Sequence, residues 1–301
     1  MKNPLNKRLP RELKSEFGKY LVLFIFLAGM IALVSGFLVA DGSMLKAYEQ
    51  SFEKYNIEDG NFELYEEASD GTLQKIEQDG VTVYPNYYIE EETKDVDSTI
   101  RIFKPRTDVD KVCLMQGKMP EKADEIAIDR MYADNNELKV GDDLKVGKQS
   151  LKITGLVALS DYSALFSNTS DMMFDATKFG VAIMTEDGFA TLDDTHIHYS
   201  YAWKYNDPPK NDTEAKTMGE DFLKKLAKRG TIVNYIPEFV NQAIIFTGDD
   251  MGGDSAMFTA FLYIVVAIIA FVFAITTSNT ISKEATVIGT LRASGYTKRE
   301  L

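Results

Sequence analysis

Residues 20–40, YLVLFIFLAGMIALVSGFLVA, decide the fold class, because none of these 21 residues carries a charge. At ~1.5 Å per residue, a helix of this length reaches ~31 Å, about the thickness of the hydrocarbon core of a bilayer. Ala28, Ala32, Gly36 and Ala40 recur at every fourth position. They share one helix face, on which a second helix can pack closely. The stretch predicts a transmembrane helix over residues 20–40.

A cleaved signal peptide is the main alternative for this segment. Signal peptides have an apolar stretch of roughly 7–15 residues that ends before a small-x-small cleavage site. Here the apolar run is longer, and Leu38 stands where a small residue is needed before Ala40. Both features favour a retained helix.

A second uncharged stretch covers 28 residues, from 255 to 282. Its apolar part predicts a second transmembrane helix over residues 255–279. Ala270, Ala274 and Ser278 repeat the spacing of small residues.

Basic residues flank the two spans on the sides that face away from the central segment. Residues 1–19 contain six basic and two acidic residues, and residues 283–301 contain four basic and two acidic. The positive-inside rule therefore predicts a cytoplasmic basic N-terminus over 1–19 and a cytoplasmic segment over 280–301. Residues 41–254, with 23 Lys and Arg against 42 Asp and Glu, are expected outside a plasma membrane.

Composition excludes several classes of protein. A net charge of -13 excludes a basic nucleic-acid binder, and a hydrophobic content of 45% excludes a disordered chain. One cysteine excludes a disulfide scaffold and a cysteine-based zinc site. No cofactor or metal is predicted.

Residues 41–254 predict an extracytoplasmic α+β domain. Helical spacing over 42–55 predicts a stalk that prolongs the first span. Alternating and turn patterns predict strands at 61–65, 81–90, 98–104, 125–129, 144–146, 150–159, 189–192, 197–204 and 230–237. Helices are predicted at 71–78, 130–136 and 213–229. Residues 247–254, TGDDMGGD, are expected to be a flexible lead into the second span.

The outer domain has little catalytic material. His196 and His198 would share a strand face, but no third metal ligand is evident, so surface residues are the better interpretation. Residues 141–148, GDDLKVGK, are not a phosphate-binding loop, because five residues separate the glycines and Gln149 replaces the required Ser or Thr. We therefore predict no ATPase site in this chain.

The remaining polar features have plain structural interpretations. Asp249, Asp250 and Asp254 lack the spacing of a calcium loop. Cys113 is expected to be a buried apolar residue. Residues 90–92 and 193–194 are expected to be solvated acidic turns, although an acidic outer face also attracts cationic substrates such as peptides.

Residues 283–301, KEATVIGTLRASGYTKREL, form the most informative segment. Val287, Ile288 and Leu291 give one apolar side, whereas Gly289 and Gly295 disfavour an isolated helix. A short basic segment of this kind fits either membrane-interface anchoring or docking into another protein. Because no C-cap is evident before the chain ends, we expect the 301 residues to be the N-terminal part of a longer protein.

These residues resemble a known family signature. The E…IG-x-LRA-x-G pattern of FtsX-like ABC-transporter permeases, the group that includes MacB, is matched by Glu284, Ile288, Gly289, Leu291, Arg292, Ala293 and Gly295. The run "G-x-x-P…nEiai…lkvGd…vvGi" of the MacB-type outer core domain is similar to residues 117–120, 124–128, 138–142 and 153–157.

The resemblance implies a membrane protein with two transmembrane α-helices flanking a large α+β extracytoplasmic domain of MacB core-domain type. It implies a permease subunit in the bacterial plasma membrane that couples a separate cytoplasmic ATPase to movement of the outer domain. Its cargo would be peptides, lipids or lipoproteins for export or extraction. The ATPase contacts carried over from the family are Glu284, Ile288, Gly289, Leu291, Arg292 and Gly295. Further transmembrane helices and the lipid bilayer are the other expected partners. In MacB itself an ATPase domain is fused to the permease, and this chain has none.

Three alternatives remain. An FtsX-like chain can activate a cell-wall hydrolase without transport. A two-span sensory receptor has the same order of span, outer domain and span, but its signalling helix should continue in heptads, which two glycines interrupt here. A membrane-anchored surface enzyme fits least, because the outer domain supplies no nucleophile–base or metal constellation.

Overall fold

The computed structural model describes residue 14, residues 17–193, residue 195 and residues 197–297. One compact unit is Lys46–Asp250, and the other takes its residues from Met1–Leu45 and Met251–Leu301. Several predictions fall outside the described residues: the basic residues Lys2, Lys7, Arg8, Arg11, Lys298 and Arg299, and the histidine His196.

Helix α1 spans Phe17–Tyr55, so the predicted span and the predicted stalk are one helix. A Schellman motif ends it, with Asn56 in the left-handed region at φ 51°. The amide of Ile57 donates to Phe52 O at 3.0 Å, and the amide of Asn56 donates to Glu53 O at 3.3 Å. Ile57 is buried. The helical prediction for 42–55 is confirmed.

Helix α6 spans Gln242–Ala293 and contains the second predicted span. It also contains residues 247–254, so the prediction of a flexible lead was wrong. At Gly248 the absence of a side chain lets the Tyr48 ring pack against the helix, and the Tyr48 hydroxyl donates to Ile244 O at 3.0 Å. Tertiary packing therefore outweighs the low helix propensity of glycine here.

Between these helices, the strands of Lys46–Asp250 join in the order β11-β1-β10-β3-β4-β9-β6-β8-β5, while β2 pairs with β10, and β7 pairs with β3 and β8. The strands are β1 (Gly60–Leu64), β2 (Val81–Pro85), β3 (Tyr88–Thr93), β4 (Ser98–Phe103), β5 (Val112–Gly117), β6 (Glu125–Asp129), β7 (Asp143–Val146), β8 (Gln149–Leu159), β9 (Phe179–Ile183), β10 (Ile197–Tyr205) and β11 (Ile232–Pro237). The helices among them are α2 (Asp70–Glu77), α3 (Arg130–Asn135), α4 (Glu186–Phe189) and α5 (Asp212–Leu226), and a 3₁₀ turn covers Glu238–Val240. Most strands are antiparallel, but β4 pairs with β9, and β6 with β8, in parallel.

The two larger hydrophobic cores of this domain define two lobes. The larger lobe contains β3 to β9 with α3 and α4, and its core includes Ile100, Ile128 and Tyr132. The smaller lobe contains β1, β2 and β11 with α2 and α5, and its core is centred on Phe62 and Trp203. Strand β10 joins the lobes: its first residues pair with β3 of the larger lobe, and its later residues pair with β2 of the smaller lobe.

The predicted elements are mostly confirmed, with three differences. Residues 81–90 are not one strand but two, β2 and β3, because the two parts pair with different lengths of β10. Residues 189–192 are not a strand: helix α4 ends at Phe189, and its N-cap Thr185 accepts a hydrogen bond from Gly188 N. Strands β5 and β9 were not predicted. Every residue of β9 is buried, so it carries no alternation of polar and apolar residues.

Candidate functional site

A cleft runs between the two lobes of the outer domain. Three adjoining cavities of about 1050, 540 and 300 Å³ form it, and Glu63 lines all three. Glu63 comes from β1 of the smaller lobe, whereas Tyr88 and Glu90 come from β3 of the larger lobe. The junction of the lobes therefore positions the side chains of the cleft.

A stack of three side chains lies in this cleft. The rings of His198 and Tyr88 are parallel, with centroids 4.4 Å apart, and the Arg101 guanidinium lies 4.4 Å from the Tyr88 centroid. The Glu63 carboxylate lies 2.9 Å from His198 Nδ1 and accepts from the Tyr88 hydroxyl at 3.2 Å. Because His198 and Tyr88 face each other across the β10–β3 pairing, this stack links the two lobes.

Arg101 fixes the larger-lobe side of the cleft. Its Nε and Nη2 both donate to Glu90 Oε1, at 2.9 and 2.6 Å. Its Nη1 donates to the Tyr162 hydroxyl at 2.6 Å, and Nη2 also reaches Ser167 O at 3.0 Å. Burial opposes the charge, but the neighbouring phenol groups and Glu90 outweigh it and raise the pKa of the guanidinium. Residues 90–92 are therefore part of strand β3 and not the solvated turn that we expected.

A second polar cluster borders the smallest of these cavities, which Glu58 and Asp161 line. Glu58, Asp110 and Asp161 are 1%, 0% and 6% exposed. Arg106 Nη1 donates to Asp161 Oδ1 at 2.6 Å, and the guanidinium lies 3.8 Å from the Phe103 centroid. Three buried carboxyl groups thus lie near one buried guanidinium, and among the described residues only Asp161 is bonded to it.

The excess of acid shifts the titration of two carboxyl groups. Burial, with Asp110 and Asp161 nearby, raises the pKa of Glu58 well above its usual range. Burial, with Asp161 nearby, raises the pKa of Asp110 to about 7. Nothing in the sequence separated these acids from the many solvated ones, because burial depends on the tertiary fold.

The titratable side chains of the cleft described above are paired with one another. Among the described residues, no group of three His, Cys, Asp or Glu side chains is arranged to hold a metal ion. His198 is paired with Glu63, and within the described part of the chain no hydroxyl or thiol group forms a hydrogen bond with this histidine. Cys113 is a free thiol of intermediate exposure, so it is less buried than we expected. Residues 141–148 contain two glycine turns, at φ 101° and 55°, on either side of β7.

The segment predicted to contact an ATPase is the end of α6. Glu284, Ile288 and Leu291 follow one another at helical spacing and are partly covered, whereas Gly289 and Arg292 are exposed. The structure thus brings the first three onto one side of the helix. Arg292, four residues after Ile288, lies at the exposed edge of the same side, whereas Gly289 lies elsewhere on the helix surface.

Gly295 ends this helix through a Schellman motif at φ 95°. The amide of Tyr296 donates to Leu291 O at 3.2 Å, and the amide of Gly295 donates to Arg292 O at 3.1 Å. Our expectation that this helix lacks a C-cap was therefore wrong. The signature glycine has a definite role, because only glycine adopts this conformation without strain.

The small-residue stripe faces away from the contact between α1 and α6. Ala28, Ala32, Gly36 and Ala40 are all exposed. The contact uses large side chains instead: the Phe37 and Phe258 rings stack with centroids 3.5 Å apart. The role of the stripe in contacting further helices stays a prediction.

Helices α1 and α6 are long and apolar enough to cross a membrane. Only 6% of the most apolar stretch of each helix is buried within the protein. Apolar surface of this extent is unstable in water and is covered by lipid. The chain is therefore a membrane protein with an α+β domain between two apolar helices.

Comparison with known proteins adds similarities of fold. No protein-family model and no curated protein matches the sequence, so the FtsX-like resemblance stays a prediction. Among solved structures, the chain is similar to the extracellular domain of the noncanonic ABC-type transporter YknZ from Gram-positive bacteria. The identity is 14%, the match covers 58% of this chain and 100% of that one, and the TM-score is 0.33. It is also similar to the periplasmic region of MacB from Actinobacillus actinomycetemcomitans, at 12% identity, 58% and 87% coverage, and a TM-score of 0.33.

Proposed function

We propose that this chain is the permease subunit of an ABC transporter of the FtsX-like, MacB-type group. The observation that carries the proposal is the end of α6, where the family-like residues lie directly after an apolar span. There the signature glycine forms the turn that ends the helix. A helix closed in this way presents a short, defined surface to a cytoplasmic partner.

The partner in this proposal is a separate cytoplasmic ABC ATPase. Its contacts would be Glu284, Ile288, Gly289, Leu291, Arg292 and Gly295. The basic flanks of the spans support a cytoplasmic position for both ends of the chain, with the acidic domain outside the plasma membrane. Further transmembrane helices, of this or another permease chain, would pack on the exposed stripe of Ala28, Ala32, Gly36 and Ala40.

The proposed activity is export or extraction of peptides, lipids or lipoproteins, driven by ATP hydrolysis on the partner. The acidic cleft of the outer domain would favour cationic cargo. Activation of a cell-wall hydrolase without transport is the alternative use of the same coupling. A sensory receptor is less favoured, because the turn at Gly295 ends α6 where a receptor would need a continuing helix.

Charge reversal at the end of α6 tests the proposal. The full chain, tagged and purified from its own cells, should bring down a P-loop ATPase subunit that can be identified by mass spectrometry and assayed for ATP hydrolysis. Arg292→Glu should abolish both the subunit and the hydrolysis, because it reverses the charge of an exposed contact residue. Lys283→Glu is the matched control, since it reverses an exposed charge two turns earlier.

Membrane insertion is checked for each variant by carbonate extraction and by protease protection of the outer domain. If Arg292→Glu retains ATPase and hydrolysis at the level of Lys283→Glu, the coupling role of this segment is wrong. Leu291→Asp provides a second disruption, on the partly covered side of the same turn.

A further inference from the structure

The buried acids beside the C-terminal end of α1 form an unusual arrangement. Asp110 Oδ1 accepts from the backbone amide of Glu58 at 2.8 Å. Glu58 Oε1 accepts from Asn61 Nδ2 at 2.5 Å and lies 3.5 Å from Asn241 Nδ2. One oxygen of each carboxyl group is thus satisfied by an N–H donor.

The second oxygen of each carboxyl group has no such donor in the described part of the chain. Glu58 Oε2 and Asp110 Oδ2 are buried, and neither has an N–H or O–H donor among the residues that the structure describes. The two residues are nevertheless direct neighbours, because Asp110 Oδ1 bonds to the backbone amide of Glu58 itself. Two carboxylates cannot bond to each other, but a carboxylic acid and a carboxylate can, because the acid supplies a donor.

The net charge of the buried cluster also favours one proton on this pair of carboxyl groups. Fully ionised, the cluster of Glu58, Asp110, Asp161 and Arg106 would bury three negative charges against one positive charge. Arg106 is engaged with Asp161 at 2.6 Å and keeps its proton at all relevant pH values. Burial of uncompensated charge is costly, so a proton on one of the remaining two carboxyls lowers the free energy of the folded state.

We propose that Glu58 and Asp110 share one proton, and that this proton acts as a pH-sensitive lock: while it is bound, residues 108–111 stay attached to the end of α1. The chain geometry supports a lock. Asn56, directly after α1, donates its side-chain amide to Asp108 O at 2.7 Å and accepts at its backbone oxygen from Asp110 N at 3.1 Å. Asn56 and Asp110 both have positive φ, 51° and 47°: Asn56 has it as the residue that ends α1, and Asp110 is held in this uncommon conformation next to it.

Glu58 also faces the start of the second long helix. Asn241 Oδ1 accepts from Ala243 N at 3.2 Å and so caps α6, while its amide group faces Glu58. Loss of the proton would place two negative charges side by side. That change would loosen the bond between residues 108–111 and the end of α1, and the cap of α6 beside it.

The sign of the effect follows from the direction of the shifts. Both folded-state pKa values are raised, so the lock is closed at low pH and opens as pH rises through those values. The charged neighbours that set the midpoint are Asp161, which favours the retained proton, and Arg106, which opposes it. The proposal does not depend on the permease role, and its test involves no ATPase.

Infrared difference spectroscopy of the full chain in lipid, titrated from pH about 5 to about 9, tests for the shared proton across the range in which a raised carboxyl pKa would fall. Wild type should show a carboxylic-acid C=O stretch that persists above the range of ordinary Asp and Glu and then titrates away. Glu58→Gln and Asp110→Asn should each shift or remove the part of that band that comes from the pair, because each removes one member, whereas the part that comes from buried Asp129 should stay in both variants. Glu220→Gln is the matched control, since it removes an exposed glutamate of α5 and should leave the band unchanged.

Hydrogen exchange reports whether the proton acts as a lock. After correction for the intrinsic pH dependence, exchange of residues 108–112 should accelerate by up to ~10-fold per pH unit above the titration midpoint. In Asp110→Asn it should stay flat, because no charge pair can form. Absence of the band in folded wild type, or a band that neither substitution changes, would overturn the shared proton. A titrating band with flat wild-type exchange would overturn the lock.

Discussion

Replacing Arg101 with methionine should destabilise the larger lobe and leave the stability of the smaller lobe nearly unchanged. The Arg101 side chain is 14% exposed and pairs with Glu90, whose side chain is 34% exposed. It also donates to Tyr162 and to Ser167 O. Methionine fills the volume of the arginine stem but supplies no donor, so Glu90 loses its partner and two further acceptors lose a bond.

The magnitude follows from these contacts. Breaking a buried ion pair by removing one partner costs about 3–5 kcal/mol. The partial exposure of Glu90 allows some rehydration, so we expect the low end, about 3 kcal/mol. Each 1.4 kcal/mol is a factor of ten, and the expected effect is therefore about 150-fold in local opening.

Hydrogen exchange with peptide resolution measures this effect in the full chain. Amides of β4 and β9 should exchange about 150-fold faster in Arg101→Met, whereas those around Trp203 in the smaller lobe should change less than about threefold. Arg130→Met is the matched control, because Arg130 forms an exposed pair with Asp134 at 3.3 Å and should cost less than about 1 kcal/mol. A change in β4 below tenfold, or an equal change in both variants, would refute the reasoning.

Three further predictions concern the signature turn, the core and a buried carboxyl group. Gly295→Ala should fray the last turn of α6 by about 1 kcal/mol because of its φ of 95°. Gly289→Ala, where an added Cβ meets nothing within 4 Å, should stabilise the same turn by up to about 1 kcal/mol; exchange of residues 288–297 measures both, and equal signs would contradict the cap. Gly180→Ala should destabilise the larger lobe by about 1–3 kcal/mol in urea unfolding, since the new Cβ would lie 2.5 Å from the Tyr132 ring. Burial raises the pKa of Asp129 to about 6. The free energy of unfolding should therefore fall by up to about 1.4 kcal/mol per pH unit as pH rises from about 4 to about 6, and Asp129→Asn should flatten that slope.

Sequence patterns predicted an element correctly where a single local property of the sequence determined it. Uncharged runs of helical length identified both apolar helices, and the spacing over 42–55 correctly prolonged the first to Tyr55. Strands separated by turn residues, such as β7 and β8, were found because alternation and a glycine turn agree there. The glycines of the C-terminal segment were recognised as helix breakers, yet Gly295 was not identified as a cap. Its neighbours carry the same helical spacing, which hid the end of the helix.

Elements that depend on distant partners could not be predicted. Residues 247–254 have the composition of a linker, but the Tyr48 ring fills the space beside Gly248 and keeps the segment helical. Strand β9 has no polar residues to reveal a period, since it is buried on both faces. The break between β2 and β3 follows from β10 pairing with each over a different part of its length.

The sequence alone determines the order of span, acidic α+β domain and span, because the length of an apolar run and the charge of its flanks depend only on neighbouring residues in the chain. The cleft and the buried carboxyl pair are decided only by the tertiary structure. Glu58 and Asp110 are 52 positions apart, and nothing local distinguishes them from solvated acids. Their chemistry arises when folding removes water and leaves a single guanidinium for three carboxyl groups, since desolvation and pairing depend on position in space rather than on position in the chain.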